Sequence, residues 1–339
     1  MATEPARKKK ITATDVAVHL GVSKWTVSRA FTDGASIAPE VRARVREVAA
    51  ELGYAPNLLA RSLSTRRTKL VALVVDELDN PNMLSLLNEA TRQLQARGYS
   101  ALLLNQSGEH EPGAALRLAD QFQVDGIMFM GTTLDHQLIE LAQKIKHIPL
   151  VVMSRHSAQQ DIPCVTTDGH AAGAEIADLF LAQGYRRIGY MSGPDSERTE
   201  LRRQDGFRER LASQGVPMAC TLSAPHYSRL DGLQALLTHL QSTPRAARLE
   251  ALFCESDILA IGAMDALAQS GQTGRMAIVG FDDIEMAAAP PYELTTFRQP
   301  LSHLVTEAIL RLVEPDSVAT PSLWAPGTLV LRNSHRRTG

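Results

Sequence analysis

Residues 21–31 read GVSKWTVSRAF. At the helical repeat Val27, Ala30 and Phe31 fall on one side, and Lys24, Trp25, Ser28 and Arg29 fall on the other. One side packs; the other is left to touch something outside its own fold. Upstream, Thr12 stands where a helix N-cap belongs, Asp15 follows three residues on, and Ile11 and Val16 are spaced as a hydrophobic staple. That helix turns Val16, Ala17 and Leu20 inward and stops at Gly21. Ser23 caps the next one, so two short helices meet at a glycine turn, the helix-turn-helix arrangement. Downstream, PEVRARVREVAAELG (39–53) begins at a proline, is expected to bury Val41, Val45, Val48 and Leu52, and ends at Gly53.

In a helix-turn-helix the second helix enters the major groove of DNA with its first residues toward the base edges. Lys24 and Trp25 occupy that position, with Arg29 one turn on. Lysine and arginine donate to guanine O6 and N7, and an indole offers an apolar face to a thymine methyl. Thr12, Ser23, Thr26, Ser28 and Thr32 complete the expected DNA-contacting set, mostly through phosphates. Charge agrees: residues 1–69 hold 13 Lys and Arg against 6 acids, a net +7 in a chain whose total is −2, so the remainder carries −9. A basic head on an acidic body points to a polyanion at one end only. The segment from Asn57 to Ser64 is too short to hold as an isolated helix in water. Its Leu59, Ala60 and Leu63 lie along one side among Arg61, Arg66 and Arg67, which suits a minor-groove wedge; a plain linker would have the same periodicity.

A chain of 339 residues suits two or three domains, and 44% hydrophobic with 21% charged residues is ordinary globular composition. Cys164, Cys220 and Cys254 are scattered without the paired spacing of a zinc or redox site. No apolar run is long enough to span a membrane, and the lysines of MATEPARKKK precede no apolar leader core, so a cytoplasmic protein is expected. There is no G-x-G-x-x-G after a strand, no G-x-x-x-x-G-K-[ST] and no H-E-x-x-H, so neither an enzyme nor a cofactor is expected.

After residue 69 the pattern changes. Apolar runs such as LVALVVDEL, YSALLLNQ, VDGIMFMG, IPLVVMS, CVTTD, RRIGYMSG, EALFCES and AIVGFDD alternate with helical stretches. Alternation of this kind implies α/β architecture with doubly wound parallel sheets, and the number of strands implies two lobes in series. Ligands bind beyond the carboxyl ends of such strands, so facing lobes would enclose one in a cleft. Polar residues stand at those ends: Asp76, Ser154 with Arg155, Ser256 with Asp257, and Asp282 with Asp283. Asp257 and Asp283 could equally cap the helices that follow.

ITATDVAVHLGVSKWTVSRAF and PEVRARVREVAAELGYAPNLLARSL resemble the headpiece and hinge of the LacI/GalR family of bacterial transcription regulators. ALFCESDILAIGAMDAL, MAIVGFDDIEMAA and LTTFRQP resemble segments of its body. The resemblance implies a helix-turn-helix headpiece (1–56), a hinge helix and linker (57–69), and a periplasmic-binding-protein-like body. Its N-terminal lobe would comprise 70–168 plus 299–325, and its C-terminal lobe 169–298 plus 326–339. It also implies a homodimeric repressor on double-stranded operator DNA, with Asn57, Ala60 and Leu63 at the minor groove and Leu63 as the wedge. By the resemblance Arg203, Ser256 and Asp282 would hold the hydroxyls of a small-molecule effector and Tyr227 would stack on it; Asp76, Ser154, Arg155 and Asp257, read from their place at strand ends, complete the expected effector-binding set. Four departures from the family pattern stand out: Trp25 for a small residue, Ser256 for an asparagine, Ser154 for an acid, and NPNM (80–83) for an aromatic pair. SERTELRRQDGF and ALFCESD look most like the gluconate-responsive branch, so a sugar acid such as gluconate or a keto-gluconate is the expected effector. A neutral sugar, a nucleobase and a phosphoprotein co-regulator are the alternatives.

Overall fold

Thr12 and Asp15 form the reciprocal cap that their spacing anticipates: the Asp15 carboxylate accepts from the Thr12 backbone N–H at 2.8 Å, and the Thr12 hydroxyl accepts from the Asp15 N–H. The structure, a computed structural model, describes residues 11–32, 34–55, 67–75, 78–106, 113–131, 141, 144–145, 147–154, 162–194 and 201–336. The chain divides into two units, Met1–Thr68 and Lys69–Gly339.

The first unit holds α1 (Ala13–Leu20), α2 (Lys24–Ala30) and α3 (Pro39–Glu51). Gly21 ends α1 in the left-handed conformation at φ 66°, and Ser23 caps α2 by accepting from the Thr26 N–H. Val16, Ala17, Val27, Ala30, Val45, Val48 and Ala49 make one small core. Val41 departs from expectation: it is 37% exposed, because α3 turns the stripe through Val45, Val48 and Ala49 inward and leaves its first turn in solvent.

The second unit contains two sheets of the same design. The first runs β11-β5-β4-β3-β1-β2 and the second β12-β10-β9-β8-β6-β7. In the first, β1 (Leu70–Val75), β2 (Ser100–Asn105), β3 (Gly126–Met130), β4 (Leu150–Met153), β5 (Cys164–Thr167) and β11 (Leu323–Ala325) are all parallel. In the second, β6 (Ile188–Ser192), β7 (Cys220–Ser223), β8 (Ala251–Cys254), β9 (Ala277–Asp282) and β10 (Thr295–Arg298) are parallel, while β12 (Thr328–Val330) joins antiparallel. The central strands read as unbroken apolar runs because helices cover both faces. Val71, Leu73 and Val75 face α4 (Pro81–Ala96) and α10 (Leu301–Val313), whereas Ala72 and Val74 face α5 (Ala114–Gln121).

Around the second sheet lie α6 (Gly169–Ala182), α7 (Arg203–Ser213), α8 (Arg229–Ser242) and α9 (Asp257–Gln269). The chain passes between the lobes near 168, 299 and 326, so neither lobe is contiguous in sequence. All three crossings are tied together, the Thr167 hydroxyl donating to Gln299 Oε1 at 2.9 Å and the Asp168 N–H donating to Ala325 O. Among the described residues no helix is long and apolar enough to cross a membrane.

Gly173 permits α6 and α7 to touch backbone to backbone. A Cβ there would lie 2.1 Å from the carbonyl oxygen of Arg203 and 2.8 Å from the Phe207 nitrogen. Gly173→Ala is therefore expected to force the helices apart, at a cost of about 1–3 kcal/mol. Urea unfolding of the full chain would read this as a lower midpoint.

Candidate functional site

Lys24, Trp25 and Ser28 stand exposed on α2, Trp25 at 68%. The indole does not turn back onto its own core; the Arg29 guanidinium lies over it, 4.2 Å from the ring centroid. This stacking orients the arginine fork beside an aromatic plane, and the pair presents one surface. The hydroxyls around it are more committed than the sequence suggested. Thr12 donates to Asp15 at 2.7 Å and Thr32 to the Ser28 carbonyl at 3.0 Å, so in this arrangement neither retains the proton that a phosphate contact requires. Ser23 and Thr26 share one proton across 2.9 Å, which leaves the other to donate outward.

Two further arginines of the basic head serve the fold. Arg42 Nη1 donates to the carbonyls of Ala30 and Thr32, its Nη2 donates to Ala35 O at 2.8 Å, and Arg46 Nε reaches Ala30 O. Cations here satisfy the bare carbonyls at the C-terminal end of α2. Asn57, Ala60 and Leu63 lie outside the described residues, as do Asp76 and Arg155 of the expected effector set.

Of the remaining effector candidates, all but Asp257 meet between the sheets of the body. Ser154 and Asp282 stand at the ends of β4 and β9, equivalent strands of the two sheets, and both adopt positive φ, 70° and 118°. Such backbone is strained for residues other than glycine and is often retained where a site needs it. With Arg203, Tyr227 and Ser256 they line a cavity of about 30 Å³. That is room for on the order of two water molecules. Asn80 and Asn82 line the opposite wall. Asn82 Oδ1 and Ser256 Oγ are buried there with no hydrogen-bond partner among the described residues.

Asp257 is corrected. It is fully buried, but its oxygens accept from the Ile284 N–H at 2.9 Å and from the Thr296 hydroxyl, tying α9 to the strands beside it, and it does not line the cavity. Nor does it cap α9, since Ser256 holds that position. Asp283 pairs with Arg298 and Arg332.

Arg203, 7% exposed, opens α7 with its guanidinium carbon 3.6 Å from the Phe281 ring centroid, and its Nη1 donates to Glu255 O at 2.6 Å. Two neighbours escaped the sequence reading. Glu255 accepts from both Tyr190 and Tyr227, and Gln299 Nε2 donates to Asp282 Oδ1 at 2.7 Å. The run ESD after an apolar strand held three polar residues, and only the last two drew attention. Burial pushes the Asp282 carboxyl up to about 7, against the pull of Arg203 and the Gln299 amide, with Glu255 adding to the rise. Burial, and then Asp282, raise Asp257 as well.

A helix-turn-helix bearing a cationic, aromatic face, carried on one chain with a two-lobed body built around a polar cleft, defines a ligand-controlled DNA-binding regulator rather than an enzyme. Residues 12–57 match the bacterial regulatory proteins of the lacI family, and residues 68–291 match the periplasmic binding proteins and sugar binding domain of the LacI family. The chain belongs to the LacI family. It is 30% identical to the HTH-type transcriptional regulator AscG of Escherichia coli, over 95% of this chain and 98% of AscG. It is 29% identical to the HTH-type transcriptional repressor PurR of Edwardsiella ictaluri, over 89% of each. The lac repressor dimer bound to operator and the anti-inducer ONPF shares the fold, with a TM-score of 0.85 at 22% identity over 97% of this chain and 100% of that one. The complex of the regulator CelR with cellobiose superposes at 0.67 with 25% identity, over 96% of this chain and all of that one.

Two predictions follow from this geometry. Arg42→Ala should destabilise the first unit by about 1–3 kcal/mol, since it leaves the Thr32 and Ala35 carbonyls without their cationic donor and Ala30 with Arg46 alone, while Lys24→Ala should change stability by less than about 0.5 kcal/mol. Thermal unfolding of both variants would check this. For Asp282, the folded carboxyl keeps its proton where the unfolded one, near 3.8, has lost it. Its contribution is therefore full in acid and lost as pH rises from about 4 to about 7. Asp282→Asn should flatten that part of the stability profile, read from urea midpoints between pH 4 and 8.

Proposed function

We propose that this chain is a homodimeric transcriptional repressor. Two headpieces read the halves of a near-palindromic operator, and the hinge (57–69) supplies Leu63 to the minor groove. The exposed Lys24 and Trp25, with half-buried Arg29 stacked on the indole, support base contact, and the repressors among its relatives support the direction of control.

In this reading the cleft holds a small polyhydroxylated effector. The observation that carries it is the pair of buried polar atoms, Asn82 Oδ1 and Ser256 Oγ, that find no partner among the described residues. A buried polar atom without a partner is costly, and hydroxyls satisfy both donor and acceptor demands. Gluconate or a keto-gluconate is the specific assignment, supported by the Arg203 guanidinium and by serine in place of an acid at 154. The carboxyls of Glu255 and Asp282 favour a neutral sugar as the second reading. Effector binding would alter the angle between the lobes and shift the DNA-competent population. A coupling of about 1–3 kcal/mol gives roughly 5- to 150-fold regulation.

A gel-shift titration on the DNA upstream of this gene tests both parts, with gluconate, keto-gluconates, glucose and purines added in turn. Wild-type protein should prefer that fragment to random duplex at moderate ionic strength, and one sugar acid should change its affinity. Arg203→Ala should lose the response to effector. No preference for any promoter fragment would refute the DNA-binding half; a response only to glucose or to purines would refute the sugar acid.

A further inference from the structure

The cavity of about 30 Å³ is far smaller than the roughly 300–1,000 Å³ of small-molecule pockets, so the lobes must part or a lining side chain must withdraw before any sugar-sized ligand fits. Tyr227 is the largest polar ring on its wall. It sits in the segment 224–228 between β7 and α8, and its ring rests against Gly193, where a Cβ would approach to 2.3 Å. Its hydroxyl donates to Glu255 Oε1. Tyr190, the other phenol on that carboxylate, donates to Oε2 at 2.8 Å from the middle of β6. It is wedged edge-on to Phe253 at 5.1 Å, with Phe207 beside it. One phenol is therefore fixed by a core strand, and the other is carried by a loop, the kind of segment that rearranges on binding.

If Tyr227 withdraws, Glu255 Oε1 loses its donor, in a residue that is 1% exposed with the ring in place and whose carbonyl is held by Arg203. A carboxylate oxygen left so is costly, and an occupant with an O–H or N–H donor restores the bond.

We propose that Glu255 is an effector-recognising residue covered by Tyr227 in this structure, and that a hydroxyl of the effector takes the place of the Tyr227 phenol on its carboxylate. This rests on the cleft being the effector site. It adds a requirement on the ligand: an O–H donor within reach of Glu255, with any anionic end placed toward Arg203.

The rival account keeps Tyr227 as a fixed wall that Glu255 merely holds in place. Calorimetry of the full chain separates the two, with D-gluconate and D-glucose as probes and Glu255→Gln and Tyr227→Phe as variants. Phenylalanine keeps the ring and removes the competing donor. Replacement predicts opposite signs: affinity for the bound probe falls about tenfold in Glu255→Gln and rises several-fold in Tyr227→Phe. A fixed wall predicts that both variants bind more weakly, since both loosen the ring. A fall in Tyr227→Phe overturns the proposal by itself, even where Glu255→Gln does not fold, and so does unchanged or tighter binding in Glu255→Gln. Binding of neither probe to any of the three proteins overturns the effector reading and this proposal together; weaker binding in both variants overturns this proposal alone.

Discussion

A guanidinium taken almost wholly out of water governs the body of this protein. Arg203 sits over the Phe281 ring with one nitrogen on the Glu255 carbonyl, in a region where Asp282 and Glu255 also lie buried. A buried cation is tolerated when neighbouring charge and hydrogen bonds compensate it. Asp282 does so only in part, because burial raises its carboxyl to about 7 in spite of the arginine. Gln299 then links Asp282 to Thr167, and both Gln299 and Thr167 lie where the chain crosses between lobes. The charge balance of the cleft and the backbone that joins the lobes thus share hydrogen-bonded atoms, and a ligand that alters one acts on the other.

In the first unit the same residue type serves two purposes. Arg29 is displayed beside Trp25 on α2, whereas Arg42 and Arg46 reach from α3 to the carbonyls at the C-terminal end of α2. Net charge marks the head as a partner for a polyanion, but it does not distinguish cations that face outward from cations that close a helix. The geometry of the carbonyls makes that distinction.

The sequence was most informative where a local rule decides the structure. Thr12 with Asp15, Ser23 and Gly21 fix helix ends through bonds to residues within a few positions, so they could be read directly. Most central strands were visible as apolar runs because both of their faces are covered; β10 was not, since two of its four residues are Thr295 and Thr296 and one is Arg298. β7, β11 and β12 were not visible: each is a short edge strand whose partly polar residues are recruited by a neighbouring strand rather than by their own pattern. The cleft divided in the same way. Ser154, Ser256 and Asp282 announce themselves by following apolar runs, whereas Glu255 and Gln299 matter because of partners tens to hundreds of residues away. Asp257 shows the opposite error, a polar strand-end residue whose bonds point into the lobe.

The last crossings have a consequence for synthesis. β11 and β12 each complete a different sheet, and they lie together at 323–330, after every other strand of both sheets. Until those residues leave the ribosome, both lobes lack a border strand and α10 has no finished sheet edge beside it. The two halves of the regulatory body therefore close together, on one stretch of eight residues.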